Sequence, residues 1–424
     1  MLDIKRIVED RELVEKGLLK RMEDPENLRT LLDNITSAYT ERKKLIREYE
    51  EIRAYQNNFN DKMSKLDKTS EEFKELVVSL KETASKVKDL EKKIFDVDLQ
   101  IRLRLDLLPN IPDEDVVAGG KENNIEVKSE GEKPTFEFEI KDHVQLGEDL
   151  GLFDFERATK MSGSNFSLYK GMGARLEWAL INYFVDEHIK DGYEMILPPH
   201  IVGEQSGYTA GQLPKFKEDV YWLEDEEQFL IPTSETVLTN LFRDEILKEE
   251  ELPKKYFSYT PCYRKEAGSY RANERGLIRV HQFNKVEMYQ FTKPEDSDKA
   301  FEELVSKAES LVKGLGLHYR ISKLAAGDCS AGAARTYDIE VWLPAVGQYY
   351  EVSSISNVRD YQSRRGNMRY KTEDGTKFVH TLNASGLATS RLMVAILETY
   401  QQSDGSIVVP EVLRKYIGVD KIGG

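Results

Sequence analysis

Residues 275–287, RGLIRVHQFNKVE, carry an unusual mixture of side chains suited to chemistry. Read at the period of two of a β-strand, one face presents Arg279, His281, Phe283, Lys285 and Glu287, and the other Ile278, Val280, Gln282, Asn284 and Val286. A solvated edge has use for mixed charges but little for a phenyl ring between them. Just upstream, alternation places Arg264 and Glu266 on one face of a second strand, and the polar, Gly-containing run that follows predicts a hairpin. Its mouth would gather Arg264, Glu266, Arg271, Arg275 and Arg279. Arginine offers a rigid fork of donors that fits phosphate oxygens, so the chemistry suggested is the gripping of a phosphorylated ligand. A ladder of cross-strand ion pairs would be the commoner account of Arg264 and Glu266 were Phe283 and Glu287 not on the same surface.

The elements around this hairpin differ sharply between the two ends of the chain. Between Pro25 and Pro109 there is neither Gly nor Pro, which favours long helices. Apolar residues recur there at spacings of three and four, running Ile35, Ala38, Arg42, Leu45, Tyr49, Ile52 in the first half and Leu76, Leu80, Thr83, Val87, Leu90, Ile94 in the second. The break falls near residues 64–72, where Thr69 and Glu72 have capping-box spacing for a new helix start. The pattern predicts an antiparallel coiled-coil hairpin over about 26–108 within an N-terminal domain of residues 1–110. Residues 111–134 read as a polar connector, and 135–424 as a body of short strands mixed with helices, of α+β type. In that body, residues 172–190 have helical periodicity and lead into YEMILPP, a strand closed by Pro198 and Pro199. No P-loop occurs, and Gly171-Met172-Gly173 lacks the strand-turn-helix setting of a dinucleotide fingerprint.

Composition narrows the field. No apolar run is long enough to span a membrane, and the amino end, which mixes acids and bases, resembles neither a secretory signal nor a transit peptide, so the expected location is the cytoplasm. Cys262 and Cys329 are too few for a disulfide framework and lack zinc spacing; both read as reduced thiols. The net charge of −15 argues against a generic nucleic-acid coat, but it is unevenly spread: residues 1–110 are nearly neutral, at −1. A polyanion-binding surface is therefore expected in the first quarter, where Arg42, Lys43, Lys44, Arg47 and Arg53 are candidates, although interleaved acids make a merely solvated rod, spacer or dimerising stalk an equal reading. Lys62-Met63-Ser64-Lys65 is similar to the signature loop of class I aminoacyl-tRNA synthetases, but it lacks that signature's last Ser and its HIGH-like partner, so it is taken as coincidence.

The residues of the hairpin carry a family resemblance. RKEAGSYRANERGLIRVHQFNKVE resembles motif 2 of the class II aminoacyl-tRNA synthetases, and in detail that of the seryl-tRNA synthetase family. Further matches follow in order: DFERATKMSGSNF, YEMILPPHIV (motif 1), GQLPKF, IPTSE, EVSSISN and TLNASGLATSRLMVAILE (motif 3). With the stalk in front, the resemblance spans the chain. It implies an antiparallel sheet holding ATP bent over the motif 2 hairpin. Arg264 would grip the α-phosphate, Glu266 would contact the adenine side, Lys265 would belong to the same ATP site, Arg279 would meet the outer phosphates, and Phe283 would stack on the base near Val280. Arg391 would cover the base's other side, and Arg264 and Arg391 would be the catalytic pair. L-Serine would be held by Thr233, Ser234 and Glu235, by Glu287 for its ammonium, and by Ser385, with Asn383 nearby. The run Glu351, Val352, Ser353 and Ser354 would complete the ATP site, with Glu351 and Ser354 as Mg2+ ligands. His281 and His380 read as structural. The implied partners are tRNA(Ser), tRNA(Sec) as a second candidate, and a second copy of the chain whose stalk directs the tRNA across the homodimer.

The sequence also departs from the family pattern. Residues 271–275, Arg-Ala-Asn-Glu-Arg, stand where the family has Gly-Arg-Asp-Thr-Arg, Ala384 where Gly is usual, and Thr209-Ala210-Gly211-Gln212 where Gly-Thr-Gly-Gln is usual. Ala210 and Ala384 are expected near the serine pocket. The altered loop keeps open a synthetase paralogue that activates serine or an analogue without normal tRNA charging. A non-enzymatic coiled-coil protein with a degenerate body is a third reading, against which Arg264, Glu287, Glu351, Ser354 and Arg391 all stand.

Overall fold

The computed structural model describes residues 1–63, 66–68, 70–224, 227–266 and 275–424. The chain divides into two compact units, Met1–Pro109 and Asn110–Gly424.

In the first unit, helices α1 (Ile4–Glu9) and α2 (Arg11–Leu18) pack at the base of a long hairpin made by α3 (Pro25–Met63) and α4 (Glu71–Leu105). At ~1.5 Å per residue the two arms run about 58 and 52 Å. Every heptad position named above is buried or half-buried, including Arg42 and Thr83. Two cross-pairs fix the antiparallel register: Arg42 with Asp98, and Tyr49 Oη with Glu91 Oε1 at 3.2 Å. The expected cap at Thr69 and the Ser64-Lys65 run lie outside the described residues. The described cap of α4 is Ser70, whose Oγ accepts from the Phe73 amide at 3.1 Å.

The second unit is organised by an eight-stranded sheet. Its strands are β1 (Ile125–Glu130), β2 (Glu194–Met195), β3 (Lys254–Tyr263), β4 (Gln282–Thr292), β5 (Tyr319–Lys323), β6 (Arg335–Leu343), β7 (Gln348–Arg359) and β8 (His380–Ala388). They lie in the order β1-β5-β6-β7-β8-β4-β3-β2, antiparallel except for the β2–β3 pair. Helices α5 (Met172–Lys190), α6 (Ser297–Gly314) and α7 (Thr389–Tyr400) contribute to one core cluster with one face of the sheet. Strand alternation supplies the sheet's side: Val286 and Met288 of β4, Ile339 and Val341 of β6, and Leu382 and Ala384 of β8 all enter that core. The intervening residues are polar and face the other way. Helix α5 covers the expected span of residues 172–190, with Leu176, Leu180 and Phe184 on its buried stripe.

Two expectations need correction. The stretch read as a connector contributes β1, an edge strand paired with β5 through a bulge between Glu126 and Lys128. It leaves little apolar pattern because the strand is exposed and buries almost nothing. The segment before it is also tied to the sheet, through Asn110 Nδ2 to the carbonyls of Gly332 and Val358 and through Asp113 to Arg335 and Arg359. The motif 2 return strand begins at Gln282, so residues 275–281 approach it as turns rather than as strand. Pairing continues only one residue past β3, where the Arg264 amide donates to the His281 carbonyl at 2.9 Å. Among the described residues no helix is long and apolar enough to cross a membrane.

Candidate active site

The site lies on the other face of the sheet, across its central strands; farther along β4 that face is covered by a second apolar cluster at Tyr289 and Phe291. At one end sits a carboxylate cluster. Glu287 of β4 is fully buried and receives the Lys285 ammonium, the Thr233 hydroxyl at 3.4 Å and Asn383 Nδ2 at 3.0 Å. Lys285 also donates to Thr233 Oγ1 at 2.8 Å, and the Glu235 amide donates to the same oxygen at 3.2 Å. Ser385 lies directly opposite Glu287 in the β8–β4 pairing. The Oδ1 of Asn383 is buried without a hydrogen-bond partner. Burial pushes the Glu235 carboxyl up to about 7, the Glu287 charge adds to this, and Lys285, Gln362 and Arg264 oppose it. This end offers acceptor oxygens to a small ligand bearing an ammonium and a hydroxyl. From Glu235 a cavity of about 420 Å3 extends past Gln212, Phe216, Ala331 and Gln362.

The other end is cationic. The Arg264 guanidinium lies 5.2 Å from the centroid of the Phe283 ring, and its Nε donates to the Pro232 carbonyl at 3.2 Å. Arg391, in the first turn of α7, is aimed by two backbone carbonyls, Ile278 at 3.1 Å and Glu351 at 2.8 Å. Arg279 pairs with Glu266. Between them is a cleft lined by Ile278, Val280, Phe283 and Val352 as well as Arg264 and Arg391. A flat ring flanked by two planar cations and apolar side chains suits a purine, and the guanidinium forks suit its phosphates.

Glu351 and Ser354 are three residues apart, so a regular strand would point them to opposite faces. A bulge in the β6–β7 pairing, with Val352 as the additional residue, puts Glu351 opposite Glu340 and Ser354 opposite Asp338, all lining one cavity. Asp338 Oδ1 is buried without a hydrogen-bond partner, and burial together with the nearby Glu351 holds the Asp338 carboxyl well above the usual carboxylate range. Crowded acids with an orphaned oxygen beside a hydroxyl fit a hard cation. Among the described residues no three His, Cys, Asp or Glu side chains are grouped to hold a metal unaided, so such a cation needs further oxygens from a ligand.

Several expected residues are placed elsewhere. Ser234 is fully buried and its Oγ accepts from Thr260 at 3.3 Å, beneath the pocket. Ser353 alternates away from the cleft and donates to the Ser385 carbonyl, bracing β8. Lys265 swings out over Tyr221, 5.8 Å from its ring centroid. Ala384 enters the helix-packed core between Asn383 and Ser385, whereas Ala210 does line the cavity. His281 Nδ1 lies 3.0 Å from the Arg264 carbonyl, and burial lowers the His380 ring to about 4. The altered loop at residues 270–274, with Arg271, lies outside the described residues. Lys285 is on the strand face read from the sequence but carries no assigned role there, although its position between Phe283 and Glu287 is a sufficient signal; Asp338 and Gln362 reach the site only through tertiary folding.

An antiparallel sheet with Arg264 one residue past β3 and Arg391 in the first turn of α7, the helix after β8, is the core of a class II aminoacyl-tRNA synthetase. Residues 221–400 match the tRNA synthetase class II core domain (G, H, P, S and T), and residues 1–112 match the seryl-tRNA synthetase N-terminal domain. The chain is 57% identical to serine–tRNA ligase 2 of Clostridium acetobutylicum, with all of both chains aligned. It superimposes on the seryl-tRNA synthetase of Pyrococcus horikoshii complexed with ATP with a TM-score of 0.92 at 35% identity, covering 100% of this chain and 99% of that one. It likewise matches the cytoplasmic serine–tRNA ligase of Naegleria fowleri in complex with AMP, with a TM-score of 0.86 at 27% identity, covering 100% and 98%. The chain belongs to the seryl-tRNA synthetase family.

Proposed function

We propose that this chain is a cytoplasmic enzyme that activates L-serine with ATP and transfers the seryl group to the 3′ end of tRNA(Ser). The observation that carries this reading is the adjacency of the two ends of the site: Arg264 borders both the purine-sized cleft and the cavity containing Thr233 and Glu235. Serine in one and ATP in the other place a carboxylate against the α-phosphorus. In the first step that carboxylate forms the new P–O bond and pyrophosphate leaves. In the second the terminal ribose hydroxyl of the tRNA attacks the seryl carbonyl, the mixed anhydride opens, and AMP leaves. The chain's contribution is positioning and fixed positive charge rather than a dedicated base. Thr233, Glu235, Glu287, Asn383 and Ser385 hold serine, while Arg264, Arg391 and Phe283 hold the nucleotide. Glu351 and Ser354 are proposed to hold Mg2+, which would neutralise phosphate charge when bound.

The stalk is proposed to grip the tRNA by its backbone, using Lys43, Arg47 and Arg53, which are exposed. Arg42 is the weaker candidate because it is half-buried on the seam and paired with Asp98. A homodimer is proposed on the exposed apolar side chains Trp178, Ile189, Met195 and Leu197 on α5 and the segment following it, a surface suited to a second copy. The deciding experiment is serine-dependent ATP–pyrophosphate exchange beside alanine, threonine and cysteine, followed by transfer of labelled serine to tRNA(Ser) with and without its variable arm, and to tRNA(Sec). Exchange driven by serine alone and transfer that needs the arm are expected. Absence of exchange with serine overturns the reading.

A further inference from the structure

Gln362 lies on a five-residue helix, Tyr361–Arg365, and is almost wholly buried. All four hydrogen-bonding positions of its side chain are used. Its oxygen accepts from Tyr289 Oη at 2.8 Å and Thr381 Oγ1 at 2.7 Å, two buried hydroxyls on β4 and β8. Its Nε2 donates one proton to Glu235 Oε1 at 2.8 Å and the other to the Ala210 carbonyl at 3.0 Å. The same helix holds that loop a second time, since Arg365 Nη1 donates to the carbonyls of Tyr208 and Leu213 at 3.1 and 2.9 Å. Gln362 and Glu235 line the same cavity.

We infer that Gln362 is a positioning residue for serine recognition, fixing the orientation of the Glu235 carboxylate and tying it to the loop at Ala210. The Ala210 carbonyl can only accept, so the amide turns its N–H side to Ala210 and Glu235 and its oxygen to the two hydroxyls, which can donate. The groups facing Glu235 are Glu287 and Lys285 from β4, Arg264 at the end of β3, and Gln362 itself. Of these, Glu287 disfavours a second negative charge and the other three favour it. A donor to the charged form keeps Glu235 an acceptor for the ammonium or hydroxyl of the incoming amino acid. Without that donor, Glu235 takes up a proton at higher pH and its carboxyl is free to rotate out of the pocket.

The inference rests on reading this cavity as the serine pocket, and the exchange activity of the unaltered chain tests that reading separately. The informative variant is Gln362→Glu. It keeps an acceptor for Tyr289 and Thr381 but removes both donors. Expected are a serine KM raised at least tenfold at neutral pH, an ATP KM within twofold of the unaltered chain, and an acid limb of kcat/KM for serine displaced to higher pH. Gln362→Met is measured in the same way and gives the answer if Gln362→Glu does not fold. A folded variant with serine KM and acid limb unmoved overturns the inference, as does an equal rise in both KM values. The unaltered chain failing to use serine would instead overturn the function proposed above.

Discussion

The guanidinium of Arg264 lies over the ring of Phe283 at 5.2 Å, and backbone pairing to His281 holds the chain at that point against the start of β4. The residue therefore enters the site pre-aimed, with its Nε spent on the Pro232 carbonyl and its side chain lining the cleft. Arg264→Ala should reduce serine-dependent exchange by about a hundred- to a thousandfold, the usual cost of losing one transition-state donor. Arg264→Lys should recover only part of this, because an ammonium cannot reproduce the fork. Steady-state exchange kinetics measure both, and an unchanged rate in the alanine variant would remove Arg264 from its assigned role.

The pair formed by Lys285 and Glu287 gives a second expectation. Both side chains are buried, so removing one leaves the other's charge without compensation. Lys285→Met should destabilise the second unit by about 3–5 kcal/mol, read as a lower denaturation midpoint in urea. Glu287→Gln, which still offers an oxygen to Lys285, should cost less in stability and more in serine binding. If Lys285→Met unfolds at the same urea concentration as the unaltered chain, the pair is not buried as described.

How much of this could be read from the sequence depended on whether the signal was local. The hairpin arms were legible because heptads report on packing within one short segment, and α5 because a buried stripe repeats every turn. Arg264, Phe283, Glu287 and Arg391 were legible through their motifs. What stayed hidden needed register. Whether Ser353 or Ser354 faces the cleft is decided by the bulge at Val352, set by pairing with a neighbouring strand, and nothing in Glu-Val-Ser-Ser announces it. Ala384 is of the same kind, since the neighbouring Asn383 and Ser385 face the site while the residue between them faces the core. Gln362 had no local signal at all, because its partners come from residues 210, 235, 289 and 381. Strand β1 was lost for the opposite reason, an exposed edge that buries too little to leave an apolar pattern.

Glu351 and Ser354 share a face with the crowded Asp338. Glu351→Gln keeps the shape and removes the charge of one of the two proposed Mg2+ ligands, so the concentration of Mg2+ that half-saturates binding in the presence of ATP should rise severalfold. Equilibrium dialysis of the metal reads this without relying on turnover. An unchanged metal requirement would direct attention to Asp338 and Glu340 as the anchoring acids.

On the stalk, position along the seam separates residues that hold the rod together from those available to a ligand. Arg42 is paired with Asp98 across the hairpin, so Arg42→Ala should lower the stability of the first unit more than it affects tRNA. Arg47 is 83% exposed and its partner Glu51 is on its own helix, a pair that contributes little to stability. Arg53 is likewise exposed beside Tyr49. The double variant Arg47→Ala with Arg53→Ala should therefore fold normally and form adenylate at the ordinary rate, since that step uses no tRNA. Its binding to tRNA(Ser) should weaken, and the slope of log K against log salt should become shallower by roughly one for each phosphate that is no longer neutralised. Filter binding across a salt series measures the slope directly. Weaker binding with an unchanged slope would mean that the rod holds tRNA by means other than the charge of these two cations.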